Sequence, residues 1–262
     1  MPIIKNTIQT YDQIYRVEKD YPFEVIVTDN IYSERLKLCK SKSEQASVEA
    51  SEKEFKNSHK LLVLPDDQTS HFYLLLHEDL FNGTDIYCQT IAYEYTQVID
   101  YFECKEKYSI NNLRVDSFPD SDCFNFLSEI RAGFRGFSLF YNLTSVETKA
   151  VLFSYLCGMV PEYEKELEHN LPDHMDALAE FYGQFLAISS YANFELSLPD
   201  YINRHPVHEL LSLVHDNIDN VSIFENYDLI TGAYSDFVLN KSKIAHVHTH
   251  KCNHSHGGSH NH

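Results

Sequence analysis

Thr90-Ile91-Ala92-Tyr93-Glu94-Tyr95-Thr96-Gln97-Val98-Ile99-Asp100-Tyr101-Phe102 is the stretch on which the fold turns. Ile91, Tyr95, Val98 and Phe102 recur at i, i+4, i+7 and i+11, the spacing of one apolar helix face. Ile86, Thr90, Tyr93 and Gln97 lie on roughly the opposite side. A helix with material to bury on both faces has a layer above it and a layer below it. Its start is marked by Asn82-Gly83-Thr84-Asp85, a chain stop followed by an acidic side chain in the first turn, where the helix dipole favours negative charge.

Upstream of this helix the strand signals are short. Residues 1 to 40 alternate β-rich runs, notably Phe23-Glu24-Val25-Ile26-Val27, with turn residues such as Tyr21-Pro22 and Asp29-Asn30, which predicts a strand or two. Ser41 to Ser58 is rich in Ser, Lys, Glu, Gln and Ala, with Val48 and Phe55 seven residues apart, the pattern of a thin amphipathic helix or a loop. Lys60 to Leu64, closed by Pro65-Asp66-Asp67, and His71 to Leu76 predict a strand pair. Downstream of Asn111 the strand signals largely stop. Helices are expected over Asp122 to Tyr141, Ser145 to about His169 with a break at Pro161, Leu171-Pro172-Asp173 to Phe194, His208 to Ile218, and Ser222 to Leu239.

The pattern predicts an α+β fold, with a small mixed sheet and helices in the N-terminal half followed by a mostly helical C-terminal half. Its expected divisions are an α/β subdomain over residues 1–111, a helical subdomain over 112–240 and a His-rich disordered tail over 241–262.

Composition excludes several functions. The formal charge of −18 comes from 39 acids and 21 bases, and the last 22 residues hold three lysines and no acid, so residues 1 to 240 carry about −21. Such a surface repels nucleic acid phosphate and anionic membrane, and is compatible with a basic protein partner. The longest apolar stretch, around Ala150 to Val160, is too short to span a bilayer, and Met1-Pro2-Ile3-Ile4-Lys5 does not read as a secretion signal. The six cysteines are irregularly spaced without a C-x-x-C, so a reduced, cytoplasmic protein is expected. No Gly-rich phosphate loop, Rossmann fingerprint or G-x-S-x-G elbow is present.

Tyr93-Glu94-Tyr95-Thr96-Gln97 stands where a zinc peptidase carries His-Glu-x-x-His, a motif that works because i and i+4 share a helix face and present two imidazoles to one ion. Downstream, Leu127-Ser128-Glu129-Ile130-Arg131-Ala132 resembles the Ser-Glu-x-x-Ala style segment that carries a third metal ligand. Together with the strands and the capped helix, these residues resemble a degenerate zincin-like domain of the gluzincin type, lacking both motif histidines. The resemblance implies that Glu94 is the vestige of a general base, that Glu129 stands for the glutamate ligand, and that His71 to Leu76 is the substrate-binding edge strand. Tyr93 and Gln97 remove the reason to expect zinc there. A phenol with a pKa of about 10 is mostly protonated at neutral pH, and a glutamine carbonyl is a weak neutral donor. No cofactor is therefore expected in the core.

On the second helix Glu129, Gly133 and Gly136 share a face, beside Ala132, so the backbone there is expected to approach another element closely. If that element is the Tyr93 and Gln97 side, the Tyr93 hydroxyl and the Gln97 amide hydrogen-bond the Glu129 carboxylate in a cleft, in place of a metal.

The histidines fall into several groups. His205, His208 and His215 surround a helix start, but Ser212 holds the second ligand place after His208-Glu209, and His215 is two turns away, so these read as surface residues. His169, Asp173 and His174 flank a helix break and form a weaker metal candidate. The tail contains His246, His248, His250, Cys252, His254, His256, His260 and His262, a set that binds zinc or nickel whatever its fold. Its origin, native or added for purification, is open.

Three functions follow. The first is a non-catalytic zincin-like protein that binds or regulates a partner through its cleft or acidic surface. The second is a hydrolase using Glu94 and Glu129 as an acid and base pair, or a metal recruited through His71, His77 or the His208 group. The third is a metal-handling protein that works through its tail.

Overall fold

A computed structural model describes residues 2–64, 71–82, 86–109, 120–144, 154, 175–191, 197–198, 200–203 and 206–249, with side chains described through Leu239, Tyr201 excepted. The fold is α+β, a small mixed sheet with helices followed by a largely helical second half.

The first surprise lies at the N-terminus, where helix α1 spans Pro2–Tyr15 and buries Ile4, Thr7 and Tyr11 along one stripe. Strand β1 follows at Phe23–Thr28 and helix α2 at Ile31–Lys37, whose N-cap Asn30 accepts the Ser33 amide at 2.9 Å. Only the strand was expected from the β-rich composition. The thin amphipathic stretch forms two short helices, α3 at Lys42–Ala50 and α4 at Glu52–Asn57. Ser41 caps the first by accepting the Glu44 amide at 3.0 Å, and Val48 is its buried contact.

Strands β2 (Lys60–Val63) and β3 (Phe72–His77) pair antiparallel, with Leu61 opposite Leu75. β3 also pairs parallel with β1, Val25 opposite Leu74, so the sheet order is β1-β3-β2. This corrects the edge-strand expectation. The expected edge strand is the central one, as its continuous Leu74-Leu75-Leu76 run befits: strands covered on both faces read as near-continuous apolar runs. The antiparallel edge strand is β2.

Helix α5 (Ile86–Tyr108) crosses the sheet on its Ile91, Tyr95, Val98 and Phe102 stripe. Ile91 packs with Leu74 and Leu76, Val98 and Phe102 pack with Phe72, and Tyr95 stacks on Phe23 with centroids 5.2 Å apart. Its opposite face meets helix α6 (Ser121–Leu143), which runs antiparallel to it: Tyr101 touches Phe124 at one end and Tyr93 touches Gly136 at the other. Beyond lies helix α7 (Met175–Tyr191), parallel to α6, since Gly133 meets Gly183 and Tyr141 stacks on Tyr191. The layers are therefore sheet, α5, α6 and α7.

A helical turn α8 (Asp200–Asn203), helix α9 (Val207–Asn217) and helix α10 (Tyr227–Thr249) complete the described chain. The last helix starts later than Ser222 and runs past Leu239, so the expected tail boundary at 240 falls within it. The expected subdomain boundary at 111 and, Ser154 apart, the expected helix from Ser145 to His169 lie outside the described residues. The main apolar core is shared by α6, α7, α9 and α10, with Phe124, Phe181 and Leu211 among its fully buried members.

Candidate functional site

The site is assembled where α5, α6, α7 and β2 converge. Helical geometry places Tyr93 and Gln97 one turn apart on the α5 face that turns away from the sheet. Gly136 lets α6 approach that face: a Cβ there would lie 3.0 Å from the Gln89 carbonyl and 3.2 Å from the Tyr93 Cβ. Glu129, two turns earlier on the same stripe, is thereby brought over both side chains. The Tyr93 hydroxyl donates to Glu129 Oε1, and the Gln97 Nε2 donates to Glu129 Oε2 at 2.9 Å. Gly133, expected on the same contact, serves another helix, its backbone lying against Gly183 of α7.

Glu94 points elsewhere. It is 5 % exposed, and its Oε1 accepts from the Lys60 ammonium at 2.7 Å. Lys60 comes from the antiparallel edge strand and also lies over the Tyr93 ring, 4.7 Å from its centroid. One lysine thus ties the two adjacent residues of the helix to the edge of the sheet. Burial pushes the Glu129 carboxyl up to about 7, Glu180 and Asp176 of α7 push in the same direction, and Lys60 opposes them. The two α7 acids are exposed and form an acidic rim to the cleft.

A zinc ion, which the resemblance of the sequence to zincins implies, does not fit these residues. The groups at the two motif positions are a phenol and a carboxamide, and each donates a hydrogen bond to Glu129, whose two oxygens accept them. A metal ligand must offer lone pairs to the ion; here the one carboxylate spends its lone pairs on neutral hydrogen-bond donors, and its raised pKa reflects burial first and the neighbouring Glu180 second.

The other sequence candidates are dispersed. His71 Nε2 sits 3.7 Å from Glu24 Oε2, and His77 Nδ1 accepts the Asp79 amide at 3.3 Å. His208 and His215 share the lining of an open cavity with Ser212 and Tyr182, and among the described residues no acid or cysteine lines it. Among the described residues no group of three or more His, Cys, Asp or Glu side chains converges to hold a metal ion. His169, Asp173, His174 and His205 lie outside the described residues. So do His250, Cys252, His254, His256, His260 and His262. His246 and His248 belong to α10 by their backbone alone.

A second polar constellation lies on the other side of α6, and the sequence reading missed it. Arg131 and Arg135 are 1 % and 2 % exposed. Arg131 Nη2 lies 3.3 Å from Asp100 Oδ1, and Ser128 Oγ donates to Asp100 Oδ2 at 2.9 Å. Both arginines then reach the loop between α9 and α10. Arg131 Nη1 donates to the Asn220 carbonyl at 3.0 Å, and Arg135 Nη2 donates to the same oxygen at 2.8 Å. From α5, Glu103 accepts the Ser222 hydroxyl at 2.6 Å and the Ile223 amide at 3.1 Å. Arg135 Nη1 contacts the Tyr11 hydroxyl, which shares a hydrogen bond with Thr96 at 2.7 Å. The available signal was the i, i+4 arginine pair inside an otherwise apolar helix.

Comparison of the chain with protein-family models, curated proteins and solved structures gave no match. Among the described residues no helix is long and apolar enough to cross a membrane.

Proposed function

We propose that this chain is a non-catalytic, zincin-like binding module that engages a basic protein partner at the acidic mouth of the α5–α6 cleft. The observation that carries the reading is the Tyr93–Glu129–Gln97 arrangement. Where a peptidase helix would present two imidazoles and a free carboxylate, these three side chains satisfy one another. Glu94, the position of a general base in the resemblance, is held in an ion pair with Lys60 and has, among the described residues, no hydrogen-bonded hydroxyl or imidazole to work with. A hydrolytic site needs a base within reach of a bound water or hydroxyl and a group that stabilises the developing oxyanion. The cleft supplies a rim of negative charge instead: Asp176 and Glu180 face outward beside a carboxyl group that lacks a cation of its own. The net charge of −18 extends that character over the molecule and favours fast, salt-sensitive association with a basic surface. A reduced, cytoplasmic setting accords with free cysteines at 39, 88, 104 and 123.

The test is binding of a lysine-rich peptide, followed by calorimetry at two salt concentrations. The reading expects affinity that drops with salt and drops about tenfold when Asp176 and Glu180 are both replaced by lysine, while reversal of the distant acids Glu24 and Glu34 has a smaller effect. Equal losses for the two pairs would place binding on general charge and discard the cleft. A hydrolase assay on casein with the wild type and Glu94→Gln serves as the companion: Glu94-dependent cleavage would replace this reading with an enzymatic one.

A further inference from the structure

The groove flanking Val221 carries chemistry that the α5–α6 cleft does not use. Two cavities of about 330 and 370 Å³ adjoin there, and both are lined by Tyr15, Arg16 and Val221. Each is the size of a small-molecule site. The first extends to Phe134 and Tyr191, which give it apolar walls; the second extends to Arg135, Ile99 and Tyr21.

Arg135 is the unusual wall. Arg131 has Asp100 as its counter-ion, but Arg135 meets no carboxylate within ion-pair distance among the described residues. Among the described residues its Nη groups reach only neutral oxygens, those of Tyr11, Asn220 and Val221, and its buried Nε has no hydrogen-bond partner. A guanidinium that is 2 % exposed and has an unused donor is costly to leave so. The unused Nε–H and the Nη2 group form one edge of the guanidinium, the edge that matches the two oxygens of a carboxylate. Along that edge Nη2 makes its longest contact, 3.5 Å to the Val221 carbonyl, which an incoming anion can replace while the 2.8 Å bond to Asn220 stays.

Arg16 stands at the rim of both cavities. It is exposed, makes no hydrogen bond or ion pair within the described residues, and ends α1 with φ at 56°, the left-handed region that side-chain-bearing residues seldom adopt. The acids on the lining set the orientation of a ligand. The second cavity sets Arg16, Lys19 and Arg135 against Glu18 and Glu103, of which Glu103 is engaged by Ser222 and Ile223. The first sets Arg16 against Asp219, so the cationic excess places an anionic group in the second.

We propose that this groove binds a small organic carboxylate with an apolar body, its acid group held between the guanidinium groups of Arg135 and Arg16 and its body lying between Tyr15, Phe134 and Tyr191. The site is separate from the cleft and does not depend on the function assigned to it.

Phenylacetate is the probe, titrated into the full-length protein while the backbone amides of Val221, Ser222 and Ile223 are followed by nitrogen-resolved NMR. Saturable shifts at these amides are expected, with none from phenylacetamide, which has the same body without the charge. Arg16→Gly keeps the fold, because glycine takes a φ of 56° without strain, and is expected to weaken binding about tenfold through the loss of one charge-assisted contact. Absence of saturable shifts, an equal response to the amide, or unchanged affinity in Arg16→Gly would each overturn the proposal.

Discussion

Glu129 is the residue on which the cleft depends, and its protonation has a sign that can be measured. Its carboxyl is raised from an ordinary 4.5 to about 7 by burial first and by Glu180 second, so between those values the folded chain holds a proton that the unfolded chain has released. Stability linked to this group is therefore full below about pH 4.5 and is lost as the pH rises through 7. Relative to Glu129→Gln, which has no such proton, the wild-type melting temperature is expected to fall by about 5 °C between pH 5 and pH 8. Parallel curves for the two proteins would show that the carboxyl is not perturbed. Tyr93→Phe removes a donor to the ionised carboxylate and is expected to raise the Glu129 titration midpoint, observable by carbon NMR of the labelled carboxyl. The buried network behaves differently. Asp100→Asn leaves Arg131 as an uncompensated buried cation and is expected to destabilise the fold by about 3 to 5 kcal/mol, measured by urea unfolding. Glu129 was legible from the chain because the resemblance of its segment to a ligand-bearing one singled it out, and helical arithmetic then put it on a glycine face that could meet Tyr93 and Gln97. Arg131 and Arg135 were not, because an arginine is read as a surface residue by default and only the loop at Asn220, 85 and 89 residues away, explains their burial.

At the level of elements, the molecule is built on helices that touch through glycine. A Cβ on Gly183 would lie 2.5 Å from the Ile130 carbonyl, and that oxygen belongs to backbone that cannot swing aside. Gly183→Ala is thus expected to destabilise the protein by about 2 kcal/mol despite the higher helix propensity of alanine, with thermal or urea unfolding as the measure. Gly232→Ala is the control, since nothing lies within 4 Å of the position, and it is expected to be neutral or stabilising. The α5 helix and its two faces were readable because a long segment with a clean period carries strong information. Other elements misled. Helix α1 has Ile4, Tyr11 and Tyr15 at helical spacing, but its β-branched and aromatic content resembles a strand, and the tertiary partners Tyr95 and Thr96 decide the matter. β3 was assigned to an edge on the family resemblance, and its parallel partner β1 lies about fifty residues earlier, a pairing that leaves no local trace to correct it. The start of α10 at Tyr227 follows from the loop that Glu103 and the two arginines hold by its backbone, an interaction no local pattern announces.

For the whole molecule, the net charge of −18 is the feature that the proposed recognition of a basic partner uses. The central proposal is that the α5–α6 cleft holds a self-satisfied hydrogen-bond set at the positions where the zincin resemblance implies metal ligands. Its most direct test is calorimetric zinc titration of the full-length protein in which the tail ligands from His246 to His262 are replaced by serine, so that only the body can take up metal. The account predicts no zinc uptake by this protein, and uptake of one ion when Tyr93→His and Gln97→His are added, because two imidazoles one turn apart would then face Glu129. Stoichiometric zinc binding by the protein with Tyr93 and Gln97 intact, abolished by Glu129→Gln, would contradict it.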